Sequence, residues 1–290
     1  MDLNTVTAIT PARDRADLAL LGAGVAPLAG GSWLFSERQD HLTALVDLMT
    51  MNWPSFVLSD EGLEVAATCT LAELAELPDA GWPAHPLLFQ CCTALLGSFK
   101  VWNTATVGGN ICASLPAGPM TSLFSSLDAE ALVWRADGSD ERMPVASFLT
   151  GNTANALGDG DVLRSLHVPL SSLRARTAYR KIALSPIGRS GSVVVGRLDP
   201  DGRFVVTVTG ATAHPEQLRF DELPDAESLA QAMGDIGSWF TDPHGAADWR
   251  RAVSGLLAEE VRVELGLPPG EAPQSDYTTT RAAATEGDAR

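Results

Sequence analysis

Two pairs of adjacent glycines, Gly30-Gly31 and Gly108-Gly109, constrain this chain more than any other feature. They lie in Leu28-Ala29-Gly30-Gly31-Ser32-Trp33-Leu34 and Ala105-Thr106-Val107-Gly108-Gly109-Asn110-Ile111, each expected to follow a short apolar strand directly. Residues without Cβ atoms allow neighbouring N–H groups to turn to one side and a ligand to approach the backbone. Such a concavity binds phosphate without any cationic side chain. Ser32, Thr106 and Asn110 add hydroxyl and amide groups to the same loops. Gly-Gly is also a common loop marker, so on the residues alone plain turns and an anion cradle both stand. Gly22-Ala23-Gly24 is no dinucleotide fingerprint. Ala26 or Pro27 holds the third glycine's place, and a helix rather than a strand is expected before it.

An anion site that needs no lysine suits this composition. The 290 residues carry 20 Lys plus Arg against 36 Asp plus Glu, a net charge of −16, and the lysines are Lys100 and Lys181 alone. That balance argues against nucleic-acid partners and anionic membranes, which both rest on Lys and Arg. Apolar residues make up 45% of the chain, so a well-buried core of one large or two ordinary domains is expected. No stretch approaches the roughly 20 apolar residues of a membrane span, and Met1-Asp2-Leu3-Asn4 does not begin like a signal peptide. A soluble cytoplasmic protein is the expectation. Cys69, Cys91, Cys92 and Cys112 form no C-x-x-C pair, so neither a metal nor an iron–sulfur cluster is expected on this chain.

Apolar periodicity predicts helices over residues 11–21, 41–49 and 86–97, the last ending at Phe99-Lys100-Val101-Trp102-Asn103. Strands are predicted at 25–29 and 63–67, and the capping-box spacing of Thr70 and Glu73 starts a helix. Beyond Leu170 the pattern changes. Val193-Val194-Val195 and Phe204-Val205-Val206-Thr207-Val208 read as strands joined by a turn at Asp199-Pro200-Asp201-Gly202. Helices over 226–233 and 246–265 follow, an order that points to an α+β domain. Residues 268–290 lack an apolar period and read as a flexible tail.

Both glycine segments resemble the two FAD-binding loops of the medium subunits of molybdenum hydroxylases, the family of xanthine and carbon monoxide dehydrogenase flavin subunits. Their loops read Ala-Gly-Gly-(Thr/His)-(Ser/Asp)-Leu and Asn-x-Ala-Thr-(Ile/Val)-Gly-Gly-Asn. Ala29-Gly30-Gly31-Ser32-Trp33-Leu34 and Asn103-Thr104-Ala105-Thr106-Val107-Gly108-Gly109-Asn110 are similar to them. The likeness extends to the stretch from Leu63 to Leu74, to Leu127-Asp128-Ala129, to Tyr179-Arg180-Lys181 and to Gly210-Ala211-Thr212-Ala213-His214-Pro215. Trp102 departs from the pattern where an arginine is usual. Pro119 replaces an acidic residue, and Ser185 an arginine four residues after the lysine.

The resemblance implies an α+β fold with a two-part p-cresol methylhydroxylase-type FAD domain over residues 1–170, broken near 52–58. A smaller C-terminal α+β domain over 171–267 follows. It implies non-covalent FAD, with Leu28, Ala29, Gly30, Gly31, Ser32, Trp33, Leu34, Thr106, Gly109, Asn110, Cys112, Gly118 and Lys181 as cofactor-binding residues. Lys181 would stabilise negative charge on the reduced ring, an ordinary surface lysine being the alternative. It implies a small [2Fe-2S] partner, a large molybdopterin partner and a dimer of heterotrimers. A self-contained flavin oxidase and a non-catalytic assembly subunit are the competing functions.

Overall fold

A computed structural model describes residues 3–94, 97, 99–185 and 188–268. The chain lays down three sheets in succession. The first contains β1 (Ala8–Pro11), β2 (Val25–Leu28) and β3 (Ala44–Asp47), parallel, in the order β1-β3-β2. The helix expected over 41–49 is therefore wrong. β3 is the central strand, with Leu45 and Val46 both buried. A parallel strand covered on both faces reads as an apolar run without the alternation that tells strand from helix. The helix expected over 11–21 shrinks to a 3-10 segment, Arg15–Leu20, capped by the Asp14 carboxylate. Pro11 belongs to β1 instead, and the Ala12 N–H extends that ladder to the Asp47 carbonyl.

The second sheet is antiparallel, ordered β4-β5-β10-β6-β7. Its strands are β4 (Phe56–Ser59), β5 (Gly62–Ala66), β6 (Glu130–Trp134), β7 (Asp140–Pro144) and β10 (Val162–Pro169). Between β5 and β6 the chain makes α1 (Leu71–Ala75), α2 (His85–Ala94), α3 (Phe99–Thr104), α4 (Val107–Cys112) and α5 (Pro119–Ser126). The capping box at α1 forms as expected. Thr70 Oγ1 accepts from the Glu73 N–H at 3.2 Å, and Glu73 Oε2 accepts from the Thr70 N–H at 2.7 Å. The helix expected over 86–97 stops at Ala94, and Phe99 opens a helix of its own. α6 (Val145–Phe148), the small hairpin β8 (Leu149–Gly151) with β9 (Ala154–Asn155), and α7 (Leu170–Leu173) complete this part.

The third sheet is an antiparallel meander of β11 (Arg176–Ala183), β12 (Ser190–Leu198), β13 (Phe204–Thr209) and β14 (Glu216–Phe220). Its two faces go to two cores, as the strand period requires. Tyr179, Val193 and Val195 join the core of the second sheet. Ala178, Val194 and Val206 pack under α8 (Ala226–Asp235) and α9 (Ala247–Gly266). Every residue of α5 is buried, since it packs between α2 and the β12–β13 face of the third sheet. Ser122 and Thr209 hydroxyls meet across that seam at 2.6 Å. The α+β class is the one expected. The tail expectation concerns residues that, from 269 on, lie outside the described ones.

Candidate functional site

All three sheets contribute walls to a cleft of about 620 Å³, within the ~300–1,000 Å³ typical of cofactor pockets. One wall begins where β2 stops. Gly31 has φ +68°, the left-handed region that favours glycine, and a Cβ there would lie 2.6 Å from the Phe35 ring. Gly30 presses on the junction of α3 and α4, where a Cβ would fall 1.5 Å from the Thr104 carbonyl oxygen. The turn closes through the Phe35 N–H on the Gly31 carbonyl at 2.9 Å. The N–H groups of residues 30–34 donate to nothing among the described residues. These five unspent donors lie on the wall of the cleft, where the sequence suggests an anion cradle.

The second glycine segment works differently from the expectation. No strand precedes it; Gly108 and Gly109 lie in the first turn of α4, whose N-cap is Thr106. The N–H groups of Val107, Gly108, Gly109 and Asn110 are already engaged. They donate to Cys69 O, Ala67 O, Thr106 Oγ1 and Thr106 O at 2.8, 2.8, 3.1 and 2.9 Å. Gly108 is set by packing, since a Cβ would lie 2.4 Å from the Ala67 Cβ. This wall therefore offers side chains rather than backbone donors. Asn110 Oδ1 accepts the Met120 N–H at 3.1 Å, which fixes the amide and leaves Nδ2 without a partner among the described residues.

Of the residues singled out from the sequence, Ala29 and residues 30–34 share the cleft with Thr106, Gly109, Asn110, Cys112 and Gly118. Leu28 and Lys181 do not line it. Leu28 packs behind the turn, 3.2 Å from the Gly31 Cβ position. Lys181 lies half-buried on β11 opposite Val193, and burial lowers its pKa. Burial pushes the Cys112 thiol up to about 12, so it is a neutral wall group and no nucleophile. Pro119 lines the cleft where the resemblance has an acid.

Sequence reasoning missed Thr68, Arg189 and Ser190, all on the cleft wall. Thr68 is buried in the turn after β5, and its hydroxyl has no partner among the described residues. Its signal was available: it sits between a clear strand and a clear capping box. Arg189 and Ser190 arrive from the β11–β12 connection, and no local pattern marks them. A tertiary contact brings them here. The Gly210 N–H donates to the Pro116 carbonyl at 2.8 Å, and Gly210 in turn abuts the Ser190 backbone.

The fit to a flavin dinucleotide rests on these features. The donor row matches a diphosphate, the walls are otherwise largely apolar as a ring system requires, and the Asn110 and Thr68 polar groups have unspent capacity. Among the described residues no helix is long and apolar enough to cross a membrane, and no acid, His or Cys cluster could hold a metal ion.

The model of the family "FAD binding domain in molybdopterin dehydrogenase" matches residues 7–171. Xanthine dehydrogenase 2 of Arabidopsis thaliana is 27% identical over 121 residues, 39% of this chain and 9% of that protein. The nicotinate dehydrogenase FAD-subunit of Eubacterium barkeri is 22% identical over 163 residues, 54% of each chain. The matched region thus spans about a tenth and about half of those relatives' lengths. Among solved structures, quinoline 2-oxidoreductase from Pseudomonas putida 86 contains a chain of the same fold. Its TM-score is 0.79 at 18% identity, covering 91% of this chain and 98% of that one.

Proposed function

Because the chain belongs to the family of FAD-binding domains in molybdopterin dehydrogenases, we propose that it is the flavin subunit of a multi-subunit molybdenum hydroxylase. In this reading it holds one FAD non-covalently in the cleft. When bound, FAD supplies a centre that takes up and passes on electrons. The observation that carries the reading is the unspent N–H row at residues 30–34 facing an apolar cleft.

Each wall has its task. The donor row takes the diphosphate; backbone N–H groups suit it because they add no charge of their own to an acidic chain. Asn110, held by the Met120 N–H, presents Nδ2 in a fixed direction. Thr106 spends an oxygen lone pair on the Gly109 N–H and keeps its hydroxyl proton for the ligand. Leu115, Leu157, Val162 and Leu163 exclude water along the sides.

Electrons arrive in this scheme from a small [2Fe-2S] chain fed by a large molybdopterin chain, and leave to an external acceptor, within a cytoplasmic dimer of heterotrimers. Support comes from a relative whose name is that of an FAD-subunit. Purification of the native assembly, with assays of flavin, iron and molybdenum, tests the scheme: acid precipitation releases FAD, and all three components co-elute. Flavin retained on the precipitated protein would refute the non-covalent site. Turnover of an organic substrate by the lone chain at ordinary enzymatic rates, of order 1–10³ s⁻¹, would establish the stand-alone oxidase instead.

A further inference from the structure

The cleft wall carries two charged side chains, Asp161 and Arg189. Asp161 is already neutralised. It accepts Arg135 Nη1 at 2.5 Å, the Gly158 N–H at 2.7 Å and the Ala136 N–H at 2.9 Å. Arg189 is half-buried and has neither an ion pair nor a hydrogen bond among the described residues. Arg250, buried beside it, adds like charge and spends its own pairing on Asp242 at 2.5 Å. Among the described residues, a chain of net charge −16 therefore keeps an unneutralised cation on the wall of an apolar cleft. Desolvating a charge without a partner is costly, so the position points to a ligand that brings negative charge to it.

The contacts along the wall show which part of a ligand that is. Gly30, in the donor row, abuts Thr104 at the entry to α4. Asn110 lies at Gly118, the Leu115–Gly118 turn reaches Gly210 through the Pro116 carbonyl, and Gly210 lies on Ser190. Arg189 thus enters the cleft at the start of β12 in the third sheet, on a different wall from the donor row, which follows β2 of the first. With the diphosphate at that row, the remaining part of FAD that gains charge is the ring. Two electrons and one proton taken up by the oxidised ring leave it with one negative charge, the electrons coming from the iron–sulfur partner of the scheme above.

We propose that Arg189, and not Lys181, is the cation that faces this charge and favours the reduced over the oxidised flavin. The inference rests on the FAD reading of the cleft. A fixed cation in a poorly solvated site stabilises an anion formed beside it more than it does the neutral ring.

The test is anaerobic binding of oxidised and of reduced FAD to the full-length apo-chain, compared across variants. Arg189→Met is expected to weaken reduced FAD about tenfold more than oxidised FAD, a fall of about 30 mV in the two-electron potential. Arg189→Lys keeps the wild-type ratio, and so does Arg203→Met, which removes the same charge at an exposed turn outside the cleft. Equal weakening of both redox forms by Arg189→Met would place the side chain on the diphosphate and overturn the proposal. An unchanged ratio in Arg189→Met, or a changed one in Lys181→Met alone, overturns it equally. Failure of the wild-type chain to bind either form is a different result and removes the FAD reading beneath it.

Discussion

At the scale of single residues, the site depends on backbone shapes that side chains cannot follow. Valine at Gly31 would have to adopt φ +68° and would collide with the Phe35 ring. The strain alone is worth about 1–3 kcal/mol, so Gly31→Val lowers flavin content at least tenfold in the purified chain, read by visible absorbance. Gly109→Val acts through the cap, because its Cβ meets Thr106 Oγ1 at 2.9 Å, and likewise yields flavin-poor protein. Asn110→Ala removes the unspent Nδ2 and orphans the Met120 N–H. It is expected to weaken FAD binding by about 1–3 kcal/mol, measured by fluorescence titration; wild-type affinity would exclude Asn110 from the site. These positions were legible in the sequence because glycine pairs and a neighbouring amide declare a local backbone demand. Arg189 was not, since nothing near it in the chain distinguishes it from other arginines. The role of the Gly108 N–H was misread for a related reason: whether it is free depends on the Ala67 carbonyl, some forty residues earlier.

At the scale of elements, local chemistry and tertiary burial pull in different directions. The Thr70 and Glu73 box was legible because both partners lie within one turn. Its loss in Thr70→Ala costs about 1 kcal/mol, seen as a lower denaturation midpoint at unchanged m-value. The β12–β13 hairpin was equally legible, since Gly202 at φ +94° closes a turn between two runs of β-branched residues. β3 was not legible. It is the central strand with Leu45 and Val46, on opposite faces, both buried, and a strand so placed keeps no pattern of its own. α5 escaped for a different reason: it is eight residues long and opens at Pro119, so its period is too short to stand out.

At the scale of the whole molecule, one of the ties that fasten the third sheet to the rest is a carboxylate. Asp128, at the corner between α5 and β6, receives Arg197 Nη2 at 2.6 Å and Arg219 Nη1 at 3.0 Å. Burial alone would raise its pKa, but the Arg219 and Arg197 guanidinium groups overcome that and hold it at about 2. A carboxyl depressed in the folded state stabilises the fold above its ordinary value near 4. That contribution, about 2 kcal/mol, fades as the pH drops from roughly 4 to 2. Asp128→Asn is therefore less stable at neutral pH and loses less on acidification, a difference that urea melts at pH 7 and pH 3 would reveal; parallel curves would refute it. The cleft has a further consequence at this scale. Its walls come from β2, from β10 with the α4–α5 stretch and from β12, so a single occupant acts as a rivet through three sheets. A ligand present at a hundredfold excess over its Kd adds about 2.7 kcal/mol to the folded state. Here that gain falls on the joint between the third sheet and its neighbours. Stripped of the rivet, the chain is expected to be nicked by protease at the exposed Leu184, well before it melts; filling the cleft closes that window.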